Sequence, residues 1–368
     1  MTKIEWTKRA GTKGETWNPI RARNKSTGGV GHFCTKVSAG CQNCYAADFQ
    51  KRFKNTVRYA AQDADQVEIY LHEPVLMQPL LWKKPRTIFV CSMTDLFYEG
   101  HPLEWIMQIW AVMALCPQHT FQVLTKRIAR ASDMLGGISP KGDHAMCRAI
   151  NEIPYGLGDR RGSLEMPLPN VWLGTSVEDQ ATANERIPVL LETPAAVRFV
   201  SAEPLLGPVD LTSLDGGYHD GVRLIIDGLT DTALDAYDNI GGIFGAKLDW
   251  VIVGGESGRN ARPMHPDWAR SLRDQCKAAG TPFFFKQWGA WAAQVGATYE
   301  ISDDLEISKY LWKEWNGEAW EDWPHPQWCD DLDPDQSVVK VGKKTAGRLL
   351  DGVEHNEWPP IDQRKAAA

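Results

Sequence analysis

The sequence has no apolar run approaching the roughly 20 residues needed to cross a bilayer. Its first residues, Met1-Thr2-Lys3-Ile4-Glu5-Trp6, form no apolar signal region. These two absences lead us to expect a cytoplasmic protein with no membrane partner. An excess of positive charge is also missing. The 40 Lys and Arg against 47 Asp and Glu give a formal net charge of −7, which argues against a protein that simply coats nucleic acid. A local basic mouth remains open, because Lys51-Arg52, Lys54 and Arg58 cluster, as do Lys126-Arg127 and Arg130. For each of these groups the plainer reading is a solvated helix face. No long-period repeat appears beyond a β-α rhythm. Cysteine is not scarce, at eight residues, but in a reducing compartment these do not imply disulfides.

What the chain does have is a compact cysteine stretch, Cys34-Thr35-Lys36-Val37-Ser38-Ala39-Gly40-Cys41-Gln42-Asn43-Cys44-Tyr45, with six and then two residues between cysteines. Two cysteines separated by two residues can turn both sulfurs toward one ion or cluster, and Gly40 lets the backbone bend before them. We take Cys34, Cys41 and Cys44 as metal ligands. Three thiolates without an evident fourth protein ligand suit a 4Fe–4S cluster with one iron open to a small molecule. Zinc is the alternative, since His32 is near enough in sequence to complete a four-ligand site. A thioredoxin-like redox pair is disfavoured by the third cysteine and the lack of an early strand–helix context. Cys91, Cys116, Cys147, Cys276 and Cys329 are scattered and read as ordinary small core or surface residues.

After a first strand at 14–20, a basic glycine-rich loop at 21–33 leads into the cysteines. A helix follows at 45–54, then a helical or irregular stretch at 63–82. Short apolar runs then alternate with helical patterns. Strands are expected near 87–92, 120–124, 171–174, 197–200, 250–253 and 283–285, and helices near 103–115, 180–191 and 266–279. This alternation predicts a parallel α/β sheet of six or seven β-α units, a partial or complete TIM-like barrel. Nearly every strand finishes in polar or glycine-rich residues: Ser92 and Asp95, Lys126, Ser176 and Glu178, Glu203, Gly254-Gly255-Glu256-Ser257, and Lys286-Gln287. In a parallel barrel the strand C-termini build the active site. Helix capping accounts for Ser, Thr or Asp there, but not for this many Glu, Lys and Gln.

The barrel is expected over residues 1–289, with the cysteine loop at 21–45 and insertions at about 136–169 and 207–248. Residues 290–368 are expected to form a cover and tail. The chain carries 16 tryptophans, many of them in this late segment (Trp291, Trp312, Trp315, Trp320, Trp323 and Trp328), where they are candidate platforms for a planar ligand.

An open iron can chelate the amino and carboxylate groups of S-adenosylmethionine and cleave its sulfonium to a 5′-deoxyadenosyl radical, the protein holding and shielding the cofactor. On residue type, Gly254, Gly255 and Glu256 offer close backbone approach and a carboxylate. Ser176, Glu178 and Glu203 suit ribose hydroxyls or the amino group, and Lys126 or Lys286 the carboxylate. Tyr45, Ser92, Asp95 and Ser257 complete the candidate cofactor contacts.

Six segments carry a resemblance: Thr16-Trp17-Asn18-Pro19, the cysteine stretch through Ala46, Ser201 to Pro208, Trp250 to Gly258 with Arg262-Pro263-Met264-His265, Phe283 to Gly289, and Gly347 to Gly352. Through them the chain resembles the phage and bacterial three-cysteine-motif family, itself similar to radical S-adenosylmethionine enzymes. The resemblance implies an iron–sulfur enzyme of that type, an electron donor, and a nucleic acid or nucleotide as the substrate class. Arg262, His265, Lys286, Gln287 and Trp288 become candidate substrate contacts. The chain departs from the wider superfamily in its first cysteine gap, six residues rather than three. It has Asn43 rather than an aromatic residue before the third cysteine, and its Gly-Gly-Glu follows a late strand. The competing reading is a non-radical iron–sulfur or zinc protein that binds nucleic acid, or docks a co-encoded partner protein.

Overall fold

The computed structural model describes residues 4–136, 148–149, 166–219, 221–234, 240–241, 245–293, 310–323, 333 and 335–360. Most of the insertion expected at 136–169 lies outside these residues, as do Cys147, Trp328 and Cys329.

Seven strands form one sheet: β1 (Lys13–Trp17), β2 (Arg86–Val90), β3 (Thr120–Thr125), β4 (Val171–Ser176), β5 (Val197–Ala202), β6 (Trp250–Gly254) and β7 (Phe283–Gln287). Their spatial order follows their chain order, and β1–β2, β2–β3, β3–β4 and β6–β7 are parallel pairs. This is the expected parallel α/β sheet. Its order is open, since no pairing joins β1 to β7 among the described residues. Every residue of β4 and β6 is buried, as in parallel strands covered on both faces.

The helices that position the site are α1 (Tyr45–Arg52), α2 (Leu103–Ala114), α3 (Ile128–Gly136), α4 (Gln180–Glu192) and α5 (Pro266–Ala279). The bounds of α5 match the sequence expectation. Pro266 takes the first turn, and Gly280 ends the helix in the left-handed region at φ 67°. No helix among the described residues is long and apolar enough to cross a membrane.

Contacts divide the chain into two compact units: Met1–Thr175 with Val189–Phe199 and Pro360–Ala368, and Ser176–Pro188 with Val200–Pro359. In the first, Trp6 packs on Phe89 and Phe199, and Trp17 on Phe121, with ring centroids 4.6 to 6.0 Å apart. The stretch expected as a loop at 21–33 contains two strands. Ile20–Asn24 pairs antiparallel with Val30–Gly31 and with Val67–Leu71, the last inside the region expected as helical or irregular. Ile20 and Ala22 point inward while Arg21 and Arg23 point outward, the alternation of a half-buried strand. The basic outward residues hid that pattern. Arg23 lies over the Tyr70 ring at 5.3 Å and pairs with Glu68 at 3.6 Å.

The second unit contains the insertion at 207–248, whose described residues form an antiparallel sheet of Leu214–His219, Val222–Asp227, Thr232–Leu234 and Ile240–Gly241. Its late tryptophans sit in another antiparallel sheet, Trp291–Ala293, Ser337–Lys340, Trp312–Trp315 and Trp320–Trp323. Trp315 opposes Trp320 across the strands, and both pack with His265 and Trp268 at centroid distances of 5.2 to 6.4 Å. These four rings face one another as a packed cluster rather than as an open platform.

Candidate metal centre

The cysteine loop belongs to the first unit and is tied to the C-terminal ends of β2 and β3. Cys34, Cys41 and Cys44 are half-buried free thiols. Cys44 caps the N-terminus of α1 with an extended backbone, so the helix begins directly after the third cysteine. The anchors come from both sides of the loop. Thr94 Oγ1 donates to Phe33 O at 2.5 Å, just before Cys34. The Tyr45 hydroxyl donates to Ser92 O, just after Cys44, and the Tyr59 hydroxyl donates to Met93 O. Asn18, immediately after β1, accepts from Met93 N at 2.9 Å and pairs with Ser92 Oγ at 3.2 to 3.3 Å. Thus Ser92 and Tyr45, both expected at a cofactor, meet each other here.

Asp95 is the hub beneath the loop. Its carboxylate accepts from Thr125 Oγ1 at 2.7 Å, Lys126 N at 2.9 Å, Phe97 N at 3.0 Å and Arg127 Nη1 at 3.4 Å. Arg127 is buried, with a side chain 5% exposed. It therefore departs from the solvated-face reading of its basic cluster. Its Nη1 also points at Cys34 Sγ, 3.7 Å away. Burial pulls the Arg127 pKa down, and Asp95, Cys34 and Glu99 more than offset it, so the net shift is upward. Burial pushes the Cys34 thiol up to about 12, reinforced by Asp95 and opposed by Arg127. Burial raises the Cys44 thiol as well, and the neighbouring Cys41 adds to this.

In kind, the donor set fits a sulfur-ligated metal centre: three free thiols, with Cys44 in electrostatic reach of both Cys34 and Cys41 and a buried cation at the first. They are not gathered at a single point, since among the described residues no group of three or more His, Cys, Asp or Glu stands ready to hold a metal ion. His32 is engaged elsewhere. Its Nδ1 lies 3.0 Å from Ile20 O, and its Nε2 lies 3.3 Å from Arg21 Nη1. Burial and the Arg21 charge lower its pKa to about 4. With Nδ1–H donating to Ile20 and Nε2 accepting from Arg21, neither nitrogen offers a lone pair to zinc. In this arrangement both His32 ring nitrogens are held by protein partners.

His101, near the same hub, supplies a test of stability. It is buried, its Nδ1 is 3.0 Å from Leu96 O, and burial lowers its pKa to about 4 despite the nearby Asp95. The unfolded chain binds a proton below about pH 6.5, and the folded one does not until about pH 4. Stability from this group is therefore present at neutral pH and lost as pH falls through that window. His101→Asn keeps a donor for Leu96 O and removes the titration. Between pH 6.5 and 4.5 the parent should lose on the order of 2–3 kcal/mol more unfolding free energy than this variant. Urea titrations at the two pH values measure it, and equal losses would refute the assignment.

The second unit holds the other candidate residues. Lys286 Nζ donates to both oxygens of Glu203, at 2.6 and 2.8 Å, and Gln287 Nε2 to Oε1 at 3.3 Å. The structure thus joins three expected residues into one cluster. A side chain on Gly254 would touch the Glu203 carboxylate at 3.3 to 3.4 Å. Gly255 has a structural cause: a Cβ there would lie 1.9 Å from Trp288 O. Glu256 is clasped by Arg262, through its backbone N at 2.8 Å, Nε at 2.9 Å and Nη2 at 2.6 Å. Ser257, next to it, is half-buried. Glu178 is bound by Arg186 Nη1 at 3.1 Å, and the same nitrogen donates to Ser176 O at 2.7 Å. His265 caps α5, accepting from Asp267 N at 3.1 Å, while its Nε2 lies 2.9 Å from Gln336 Oε1. Trp288 Nε1 donates to Leu349 O at 2.7 Å. Sequence reasoning missed Asn18, Tyr59, Thr94 and Arg127 as site-forming residues. The position of Arg127, two residues past a strand end, was the available signal.

The sequence model described as "Protein of unknown function (DUF5131)" matches residues 1–359. The chain belongs to this family. No curated protein and no solved structure matches it. The match spans both the cysteine loop of this DUF5131 protein and its Glu203 cluster.

Proposed function

We propose that this DUF5131 protein is an iron–sulfur enzyme of the radical S-adenosylmethionine type, with a nucleotide or nucleic acid as substrate. Cys34, Cys41 and Cys44 would hold the cluster. The observation that carries this reading is the donor set itself: three half-buried free thiols in one loop, tethered to two strand ends, with a buried guanidinium at the first sulfur. When bound, a three-cysteine 4Fe–4S cluster with S-adenosylmethionine on its open iron supplies one-electron cleavage of the sulfonium to a 5′-deoxyadenosyl radical. The chain's own part is to hold the loop. Tyr45, Thr94 and Asn18 fix its two ends and the turn beneath it. Ligand sulfurs that are not gathered in advance couple metal binding to ordering of residues 34–44.

In the second unit, the Glu203, Lys286 and Gln287 cluster offers a carboxylate, an ammonium and an amide, partners for the amino-acid or nucleotide groups of a ligand. Glu203→Ala is expected to leave iron content unchanged and to weaken binding of a nucleotide ligand to the second unit about 10-fold or more, as read by iron analysis and calorimetric titration. Parent-like binding would remove Glu203 from the site.

The reading is tested by anaerobic reconstitution with iron and sulfide. About four iron and four sulfide per chain are expected. Zinc alone, bound at one per chain after purification without added metal, would favour the non-radical alternative.

A further inference from the structure

Arg127 is the one buried cation in direct contact with the cysteine loop among the described residues, and its contacts divide into two sets. On one side it meets acidic partners: Asp95 Oδ2 at 3.4 Å and Glu99 Oε1 at 2.8 Å. These alone would satisfy a structural ion pair. On the other side, both ends of the fork reach the loop. Nη1 lies 3.7 Å from Cys34 Sγ, and Nη2 donates to Thr35 O at 3.1 Å and Thr35 Oγ1 at 3.0 Å. The guanidinium also lies over the Tyr98 ring at 5.3 Å. Its own backbone N–H donates to Thr125 Oγ1 at 2.9 Å, and that hydroxyl donates to Asp95. Position and orientation are therefore set by several bonds, while the charge faces a sulfur. A rigid planar fork makes this bracket possible, and a lysine could not span the same set.

We propose that Arg127 is a positioning residue of the cysteine centre. Its N–H···S bond fixes Cys34 as the first ligand and raises the reduction potential of the iron–sulfur cluster. This rests on the cluster reading above. A hydrogen bond and a positive charge at a ligating sulfur stabilise the more negative, reduced cluster, and outer partners that orient a ligand strengthen metal binding.

The experiment reconstitutes the parent, Arg127→Gln and Arg127→Lys anaerobically. It measures iron and sulfide per chain, retention against a ferrous chelator, and the potential by dye-mediated titration. Arg127→Gln is expected to bind iron about 10- to 100-fold more weakly and to shift the potential to more negative values. Arg127→Lys keeps the charge and loses the fork, so it should recover the potential in part and the retention hardly at all. A merely structural arginine would lower the melting point of the metal-free protein without moving the potential. Arg127→Gln with parent retention and parent potential overturns the proposal. If Arg127→Gln does not fold, Arg127→Lys decides, and parent-like retention in it overturns the proposal. A parent that takes up no cluster overturns the cluster reading first, and this proposal with it.

Discussion

Replacing Cys34, Cys41 or Cys44 singly with alanine is expected to abolish the reconstituted cluster, with iron falling from about four per chain to near zero in each variant. A three-thiolate centre has no spare ligand, and His32 cannot step in because both of its ring nitrogens are committed to Ile20 and Arg21. Cys91 and Cys276 are the internal controls. Both are fully buried thiols raised by burial, and alanine at either should leave iron content at the parent level. Iron retained at full stoichiometry in all three loop variants would mean that the metal, if bound, sits elsewhere.

Glu178→Ala is expected to cost about 3–5 kcal/mol of folding free energy. Glu178 is 0% and Arg186 3% exposed, and their ion pair spans 3.1 Å. Truncating the acid leaves a buried guanidinium without its counter-charge. Such a penalty comes from the orphaned partner rather than from the worth of the pair. Glu178→Leu combined with Arg186→Met should therefore recover most of the loss. Urea midpoints of the three proteins measure this. A loss under about 1 kcal/mol for Glu178→Ala would show that water reaches Arg186. The carboxylate, a candidate on residue type for ribose hydroxyls or an amino group, is bound by Arg186 of α4, which also donates to Ser176 O at the end of β4.

Short apolar runs alternating with helical stretches marked six strands of the parallel sheet, because buried parallel strands are rich in Val, Ile, Leu and Phe; β1, Lys13-Gly14-Glu15-Thr16-Trp17, carries none of these. The helix at Pro266–Ala279 was marked by both of its ends. The strand at Ile20–Asn24 was hidden because only two of its residues are apolar and its outward arginines looked like a loop. The polar residues at strand ends stand out in the sequence as a set. Which of them pair internally depends on three-dimensional partners: Arg262 for Glu256, Arg186 for Glu178, and Lys286 for Glu203. Arg127 was read as part of a solvated basic face. Only the positions of Asp95, Glu99 and Thr35 show that it is buried against the loop. The cysteine spacing needed no such help, since three sulfurs within 11 residues of chain are local by construction.

The most direct measurement is electron paramagnetic resonance of the anaerobically reconstituted, dithionite-reduced protein, recorded with and without S-adenosylmethionine. A 4Fe–4S signal whose g-values shift when the cofactor is added is the expected result, because the cofactor then occupies an iron that no cysteine holds. A 4Fe–4S signal that is identical in both spectra would contradict the account and leave the cysteine loop with a purely structural cluster.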